Sequence, residues 1–174
     1  MLASGRTSRY YIDCKLAFSF PEARRLMGEL MFEAISGIDA DAIGGLALGA
    51  YPVAIAVSDF AYTRKYPLRV FVARKDAKSH GLKKVLEGKI QKGDRVVIVD
   101  DVITTGESTI DAIKKSREAG LEVVKAIALI DRQEAGGREN IEACGVDFQA
   151  VFTLSDFLGL IREKEGQNTA RPKE

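Results

Sequence analysis

Residues 96–99, Val-Val-Ile-Val, run without a polar interruption into Asp100 and Asp101, and then into Val102-Ile103-Thr104-Thr105-Gly106-Glu107-Ser108. An unalternating β-branched run fits a strand covered on both faces, as in a parallel sheet, and such sheets bind ligands beyond the carboxyl ends of their strands. This one stretch therefore demands neighbouring buried strands and two layers of helices, and it puts Asp100 and Asp101 at the binding edge. The hydroxyls and backbone N–H groups from Thr104 onward precede a helical pattern that begins near Ser108. A helix start of this kind favours an anion of phosphate size, through its unpaired amides and its dipole.

The remaining chain supplies the partners. Residues 42–47, 68–73, 123–130 and 147–154 read as further strands. Between them lie helical patterns. One starts at Ser19-Phe20-Pro21-Glu22, with Ala23, Leu26, Met27, Leu30, Met31, Ala34 and Ile35 toward the core and Gly37 as its stop. Others open at Gly49-Ala50-Tyr51-Pro52, with Val53, Ile55, Ala56 and Val57 apolar, at Ser108, and briefly before Cys144. A last short helix is expected from Ser155, read as its N-cap. Tyr10-Tyr11-Ile12-Asp13 reads as a short strand, and residues 87–94 as turn chemistry. The alternation predicts a doubly wound α/β domain with a mostly parallel sheet.

At 174 residues the chain is the size of one such domain. A net charge of +1 offers no global argument for nucleic acid or a membrane as partner. Cys14 and Cys144 lack metal-binding or C-x-x-C spacing and read as free thiols of a reducing compartment. No apolar run reaches the roughly 18–20 residues of a membrane span, so a cytoplasmic location is expected.

Two carboxylates beside a phosphate cradle repel the ligand unless they face another part of it. A phosphorylated sugar resolves the conflict: its phosphate occupies the Thr/Gly loop while its hydroxyls donate to Asp100 and Asp101, directly or through hydrated magnesium. Here the stretch resembles the signature of the type I phosphoribosyltransferases, which bind 5-phosphoribosyl-1-pyrophosphate (PRPP). The resemblance implies PRPP contacts from Asp100, Asp101, Val102, Ile103, Thr104, Thr105, Gly106, Glu107 and Ser108, with Mg2+ carried by PRPP near the two acids and no direct protein ligand to the metal.

Further segments, the Ser4-Gly5-Arg6 stretch among them, narrow the resemblance to the orotate phosphoribosyltransferases. Residues 74–84 carry five Lys/Arg and the single histidine. Taken alone such a run is a solvated face; as Arg-Lys-x-x-Lys-x-His-Gly it resembles the family's catalytic loop. Arg74 and Lys75 are then PRPP-binding, and Lys78 and His80 both PRPP-binding and catalytic, together with Asp100 and Asp101. In the turn of Leu48, Gly49 and Ala50 the two small residues let backbone amides approach a ligand, and the family's corresponding turn cradles pyrophosphate; the lysine that some relatives carry at the Gly49 position is absent. Arg132, in Asp131-Arg132-Gln133-Glu134, either pairs with a neighbouring acid or meets a ligand; the family resemblance assigns it to the orotate carboxylate, with Thr104 and Tyr11 also at the base.

Ser4-Gly5-Arg6 and the tyrosines after it resemble the family's hood over the pyrimidine. Relatives usually carry a further helix upstream, and some a lysine at the Ala3 position, so a smaller hood is expected here. Residues 1–162 would form the domain, 1–18 its hood segment, and 163–174 a polar tail.

The implied reaction is transfer of ribose 5-phosphate from PRPP to orotate, with a homodimer sharing active sites. Purine or uracil phosphoribosyltransferase activity, or a PRPP-binding regulator on the same fold, are the alternatives. Arg132 with the Ser-Gly-Arg segment weighs against the first two, and the near-neutral charge against the third.

Overall fold

The computed structural model describes residues 12–75 and 85–160; Tyr11, Lys78, His80, Ser4-Gly5-Arg6 and the tail from 163 lie outside the described residues. The elements in chain order are α1 (Cys14–Phe18), α2 (Pro21–Glu33), β1 (Ala42–Leu46), α3 (Ala50–Thr63), β2 (Arg69–Ala73), β3 (Leu86–Gly88), β4 (Arg95–Ile103), α4 (Glu107–Glu118), β5 (Glu122–Asp131), α5 (Gly137–Glu142) and β6 (Phe148–Thr153). Among the described residues the strands form one six-stranded sheet in the order β3-β2-β1-β4-β5-β6. All neighbours are parallel except β3, which runs antiparallel on β2.

The apolar run of β4 is central because both of its faces are buried. Val97 and Val99 join Met31, Val53, Val57 and Ile127 in a core under α2 and α3. Val96 and Ile98 point the other way, into a core with Phe71, Ile113, Ile141 and Phe148 under α4 and α5. Successive side chains of a strand alternate faces, so one continuous hydrophobic run serves two layers. Each fully buried Val or Ile contributes roughly 1.5–3 kcal/mol, which is why the unalternating run decides the architecture.

The amino-terminal edge of the sheet is cross-linked by charge. Arg69 reaches Asp94 at 2.9 Å, Arg95 reaches Asp39 at 2.6 Å, and the Arg95 N–H donates to Asp41 at 2.8 Å. The carboxyl edge carries the loops.

Several details depart from the sequence reading. Ile12 and Asp13 are not strand. Asp13 instead caps α1, accepting from the Lys15 N–H at 3.0 Å. Within α2, Met27 and Met31 are buried, but Leu26 is 48% and Leu30 42% exposed, because the core covers a narrower stripe than the apolar pattern. On α3, Ile55 is likewise exposed, at 38%. The α2 helix ends at Glu33, and Gly37 (φ +82°) terminates the turns after it. Leu86, Glu87 and Gly88 form an edge strand rather than a turn.

Ser155 is not the cap of the last helical segment, residues 154–160. Thr153 takes that place: its hydroxyl and N–H bond the Asp156 carboxylate at 2.8 and 2.7 Å, and Ser155 donates to Gln133 Oε1 instead. An acid three residues after a threonine satisfies both ends of such a start. Among the described residues no helix is long and apolar enough to cross a membrane. Cys14 and Cys144 are free thiols.

Candidate active site

The sheet order lays the functional segments side by side along the carboxyl edge. After β2 come Arg74 and Lys75, after β1 the turn of Leu48, Gly49 and Ala50, at the end of β4 the two acids and the Thr/Gly loop, and after β5 Arg132. Strand pairing fixes their register. Leu46 lies opposite Ala73, the Ala47 N–H donates to the Ala73 carbonyl at 2.9 Å, and Ile103 lies opposite Asp131.

The adjacent acids are in different environments. Asp100 is nearly buried; its Oδ2 accepts from the Thr109 hydroxyl at 3.0 Å and its Oδ1 from the Asp101 N–H at 3.0 Å. Burial, and then the charge of Asp101, push its carboxyl up to about 7, against the opposing pull of the Thr109 hydrogen bond. Asp101 is only partly buried and lies over the small-residue turn. A Cβ on Gly49 would stand 2.5 Å from Asp101 Oδ1, so glycine there leaves the carboxylate its place. The Asp101 charge also adds to the burial that raises the Cys14 thiol to about 12, which keeps that thiol protonated.

The Thr/Gly loop is locked from behind. Gly106 has φ +78°, caps α4, and sits so close to the Gly137 carbonyl that a side chain would collide with it. Asn140 donates to the Thr105 carbonyl at 3.0 Å, joining the loop to α5. Beside it Arg132 is 3% exposed; its N–H donates to the Ile103 carbonyl at 3.1 Å and its guanidinium meets Glu134 at 3.2 Å. Of the two acids open to it on the sequence, Glu134 pairs with Arg132, whereas Asp131 accepts from the Gln133 N–H and faces Arg138 at 3.5 Å.

At the other end, Arg74 pairs with Glu87 at 2.7 Å, and Lys75 is exposed. Together with Ala47, Leu48, Tyr51 and Val72 they line a cavity of about 370 Å3. Lys78 and His80, expected in the same place, lie outside the described residues. Thr109, Asn140 and Tyr51 were missed on the sequence. Thr109 had a signal: with Ala112, Ile113 and Ser116 it falls on the buried face of α4 at helical spacing.

Residues 19–153 match the phosphoribosyl transferase domain. The chain is 45% identical over 157 residues to the orotate phosphoribosyltransferase of Aquifex aeolicus, covering 90% of this chain and 85% of that one. The chain belongs to the orotate phosphoribosyltransferase family. A second member, from Sorangium cellulosum, is 44% identical over 161 residues, with 91% and 83% of the two chains covered. The crystal structure of the Mycobacterium tuberculosis orotate phosphoribosyltransferase in complex with PRPP superposes with a TM-score of 0.75 at 36% identity, over 84% of this chain and 82% of that one. The family accounts for the six-stranded, mostly parallel sheet and its flanking helices. Among the described residues no group of three or more His, Cys, Asp or Glu side chains is arranged to hold a metal ion.

Proposed function

We propose that the chain transfers the ribose 5-phosphate group from PRPP to N1 of orotate, releasing pyrophosphate and giving orotidine 5′-phosphate, in UMP biosynthesis. The observation that carries this reading is the order along the carboxyl edge: basic segment, small-residue turn, acid pair with phosphate loop, buried arginine. That order matches a ligand with pyrophosphate at one end, ribose 5-phosphate in the middle and a carboxylated base at the other.

Pyrophosphate departs from an oxocarbenium-like carbon, so the site must stabilise charge on the leaving group and hold the ribose still. In this reading the backbone amides around Leu48, Gly49 and Ala50, with Arg74 and Lys75, receive the leaving group; family resemblance adds Lys78 and His80. Asp101 presents its carboxylate to the ribose hydroxyls, Asp100 beside it accepts from the Asp101 N–H, and residues 104–108 hold the 5′-phosphate. Arg132 is the group suited to the orotate carboxylate, since a planar guanidinium offers two parallel donors, and Thr104 and Tyr11 complete the base contacts. The partly exposed carboxylate at Asp101 would suit a hydrated magnesium ion brought in by PRPP. When bound, magnesium would offset the polyphosphate charge.

A homodimer with shared sites belongs to the same reading. Leu16, Leu26, Leu30 and Ile55 on α1, α2 and α3, with Phe20 just before α2, are exposed apolar residues, and a second copy would cover them. The free thiols favour a cytoplasmic setting. The test is consumption of orotate with PRPP and magnesium, against uracil, hypoxanthine and xanthine. Orotate should exceed uracil in kcat/KM by about a thousandfold or more, because a base without a carboxylate forfeits the Arg132 contact. Equal use of uracil or a purine would overturn the assignment.

A further inference from the structure

Lys115 lies in the third turn of α4 with its side chain 16% exposed. Its ammonium donates to the Arg74 carbonyl at 2.8 Å, the Lys75 carbonyl at 3.0 Å and Asp111 Oδ2 at 2.5 Å. An ammonium has three N–H donors, and here each has an acceptor. Carbonyls of successive residues point to opposite sides of an extended strand; two that converge on a single nitrogen hold the chain in a bend where it leaves β2. The same bend is fixed from the other side, where the Arg74 N–H donates to the Val85 carbonyl at 2.9 Å and the Arg74 guanidinium meets Glu87.

This placement is unexpected from charge alone. A third cation is drawn against Arg74 and Lys75 in the most basic part of the chain, with Asp111 offsetting it. What the arrangement achieves is a mechanical link. The helix that carries Lys115 begins directly after the Thr104-Thr105-Gly106 loop, and the clamp lies about 12 Å further along it, at 1.5 Å of rise per residue. One rigid element therefore sets the phosphate loop at its start and the backbone of Arg74 and Lys75 on its flank.

We propose that Lys115, held by Asp111, is a positioning residue that fixes the Arg74–Lys75 backbone relative to the 5′-phosphate loop, so that the pyrophosphate end of PRPP meets cations at a set distance. The proposal rests on the phosphoribosyltransferase reading of the site. Lys115 touches no reacting atom and acts through the two carbonyls.

The test compares Lys115→Met, which keeps the stem and removes the donors, with Lys115→Arg and with Lys114→Met on the exposed face of the same helix. Steady-state kinetics, calorimetric titration with inorganic pyrophosphate, and hydrogen exchange of peptides covering residues 69–75 and 85–90 are read together. Lys115→Met should raise the PRPP KM and weaken pyrophosphate binding about tenfold, as expected for a small misplacement of a binding group, while speeding exchange in those peptides. The orotate KM should move less than about twofold, Lys115→Arg should recover part of the loss, and Lys114→Met should match wild type. If PRPP and orotate KM rise together, or pyrophosphate binding and exchange stay at wild-type values, the positioning role is wrong. A wild type that binds pyrophosphate but does not consume orotate would overturn the orotate reading, and the pyrophosphate and exchange data would still decide the clamp. Should Lys115→Met not fold, Asp111→Asn, which loosens the ammonium without removing it, should give the same pattern at smaller size, and its absence overturns the proposal.

Discussion

Asp94 and Asp100 stand near opposite ends of β4, each almost buried, and their surroundings push their titration in opposite directions. Burial alone would raise Asp94, but hydrogen bonds from Arg69 and the Gln91 N–H outweigh it and hold the carboxyl below its ordinary range. Asp100 has a hydroxyl and an amide as partners and a second carboxylate next door, so burial prevails and it rises to about 7. The amino edge of the sheet compensates its charge inside the fold. Among the described residues the acid pair at the carboxyl edge has no basic partner, a state suited to a ligand that brings hydroxyl donors or a hydrated cation.

The largest effect should come from breaking the carboxyl edge. Asp100→Asn with Asp101→Asn is expected to lower kcat/KM for PRPP by about a thousandfold, through loss of charge-assisted acceptors, with the fold intact by circular dichroism. Full turnover in a folded double variant would remove both residues from the site. At the amino edge the pattern should invert: Asp94→Ala should cost about 2 kcal/mol in urea unfolding, since Arg69 and the Gln91 N–H lose their acceptor, while kcat/KM stays near wild type.

The pH dependence sharpens the contrast. Asp94, depressed in the fold, contributes stability that is present above the ordinary carboxylate range and lost as pH falls. Asp100, raised in the fold, does the reverse: its contribution is full in acid and lost as pH climbs from about 4 through about 7. Asp100→Asn alone should therefore gain in stability relative to wild type across that window, read from denaturation midpoints at successive pH values; a parallel offset would show that Asp100 does not titrate there. Smallest of all, Thr109→Val should cost about 1 kcal/mol, the worth of one hydrogen bond, and shift the Asp100 titration further upward.

Much of the architecture was legible because β4 buries both faces, and an unalternating β-branched apolar run fits such a strand. Asp100, Asp101 and Arg132 were legible for the same reason, being polar residues where such strands stop. Other features depend on contacts that no local pattern carries. The β3 strand is three residues long and exists by pairing with β2. Periodicity marked Leu26 and Leu30 as apolar without saying which stripe of α2 the core would reach. Nor does spacing separate the acids into a buried Asp100 and an accessible Asp101, because the distinction comes from Thr109 on one and the small turn under the other. The Lys115 contacts likewise join residues 40 and 41 positions apart, which no local pattern marks.

The strand order has a kinetic side. From β4 onward each strand pairs with its successor in the chain, so β4, β5 and β6 with their helices form from nearby contacts. By contrast β1 must find β4 across all of α3, β2 and β3, with Ala42 opposite Val96. Contacts of long sequence separation carry the greater loop-closure cost and tend to form late. It is that late junction which sets Gly49 against Asp101, so the ligand pocket is complete only after the slowest pairing has closed. PRPP would then be a ligand of the final step, and its stabilisation should show as slower unfolding, with the folding rate nearly unchanged.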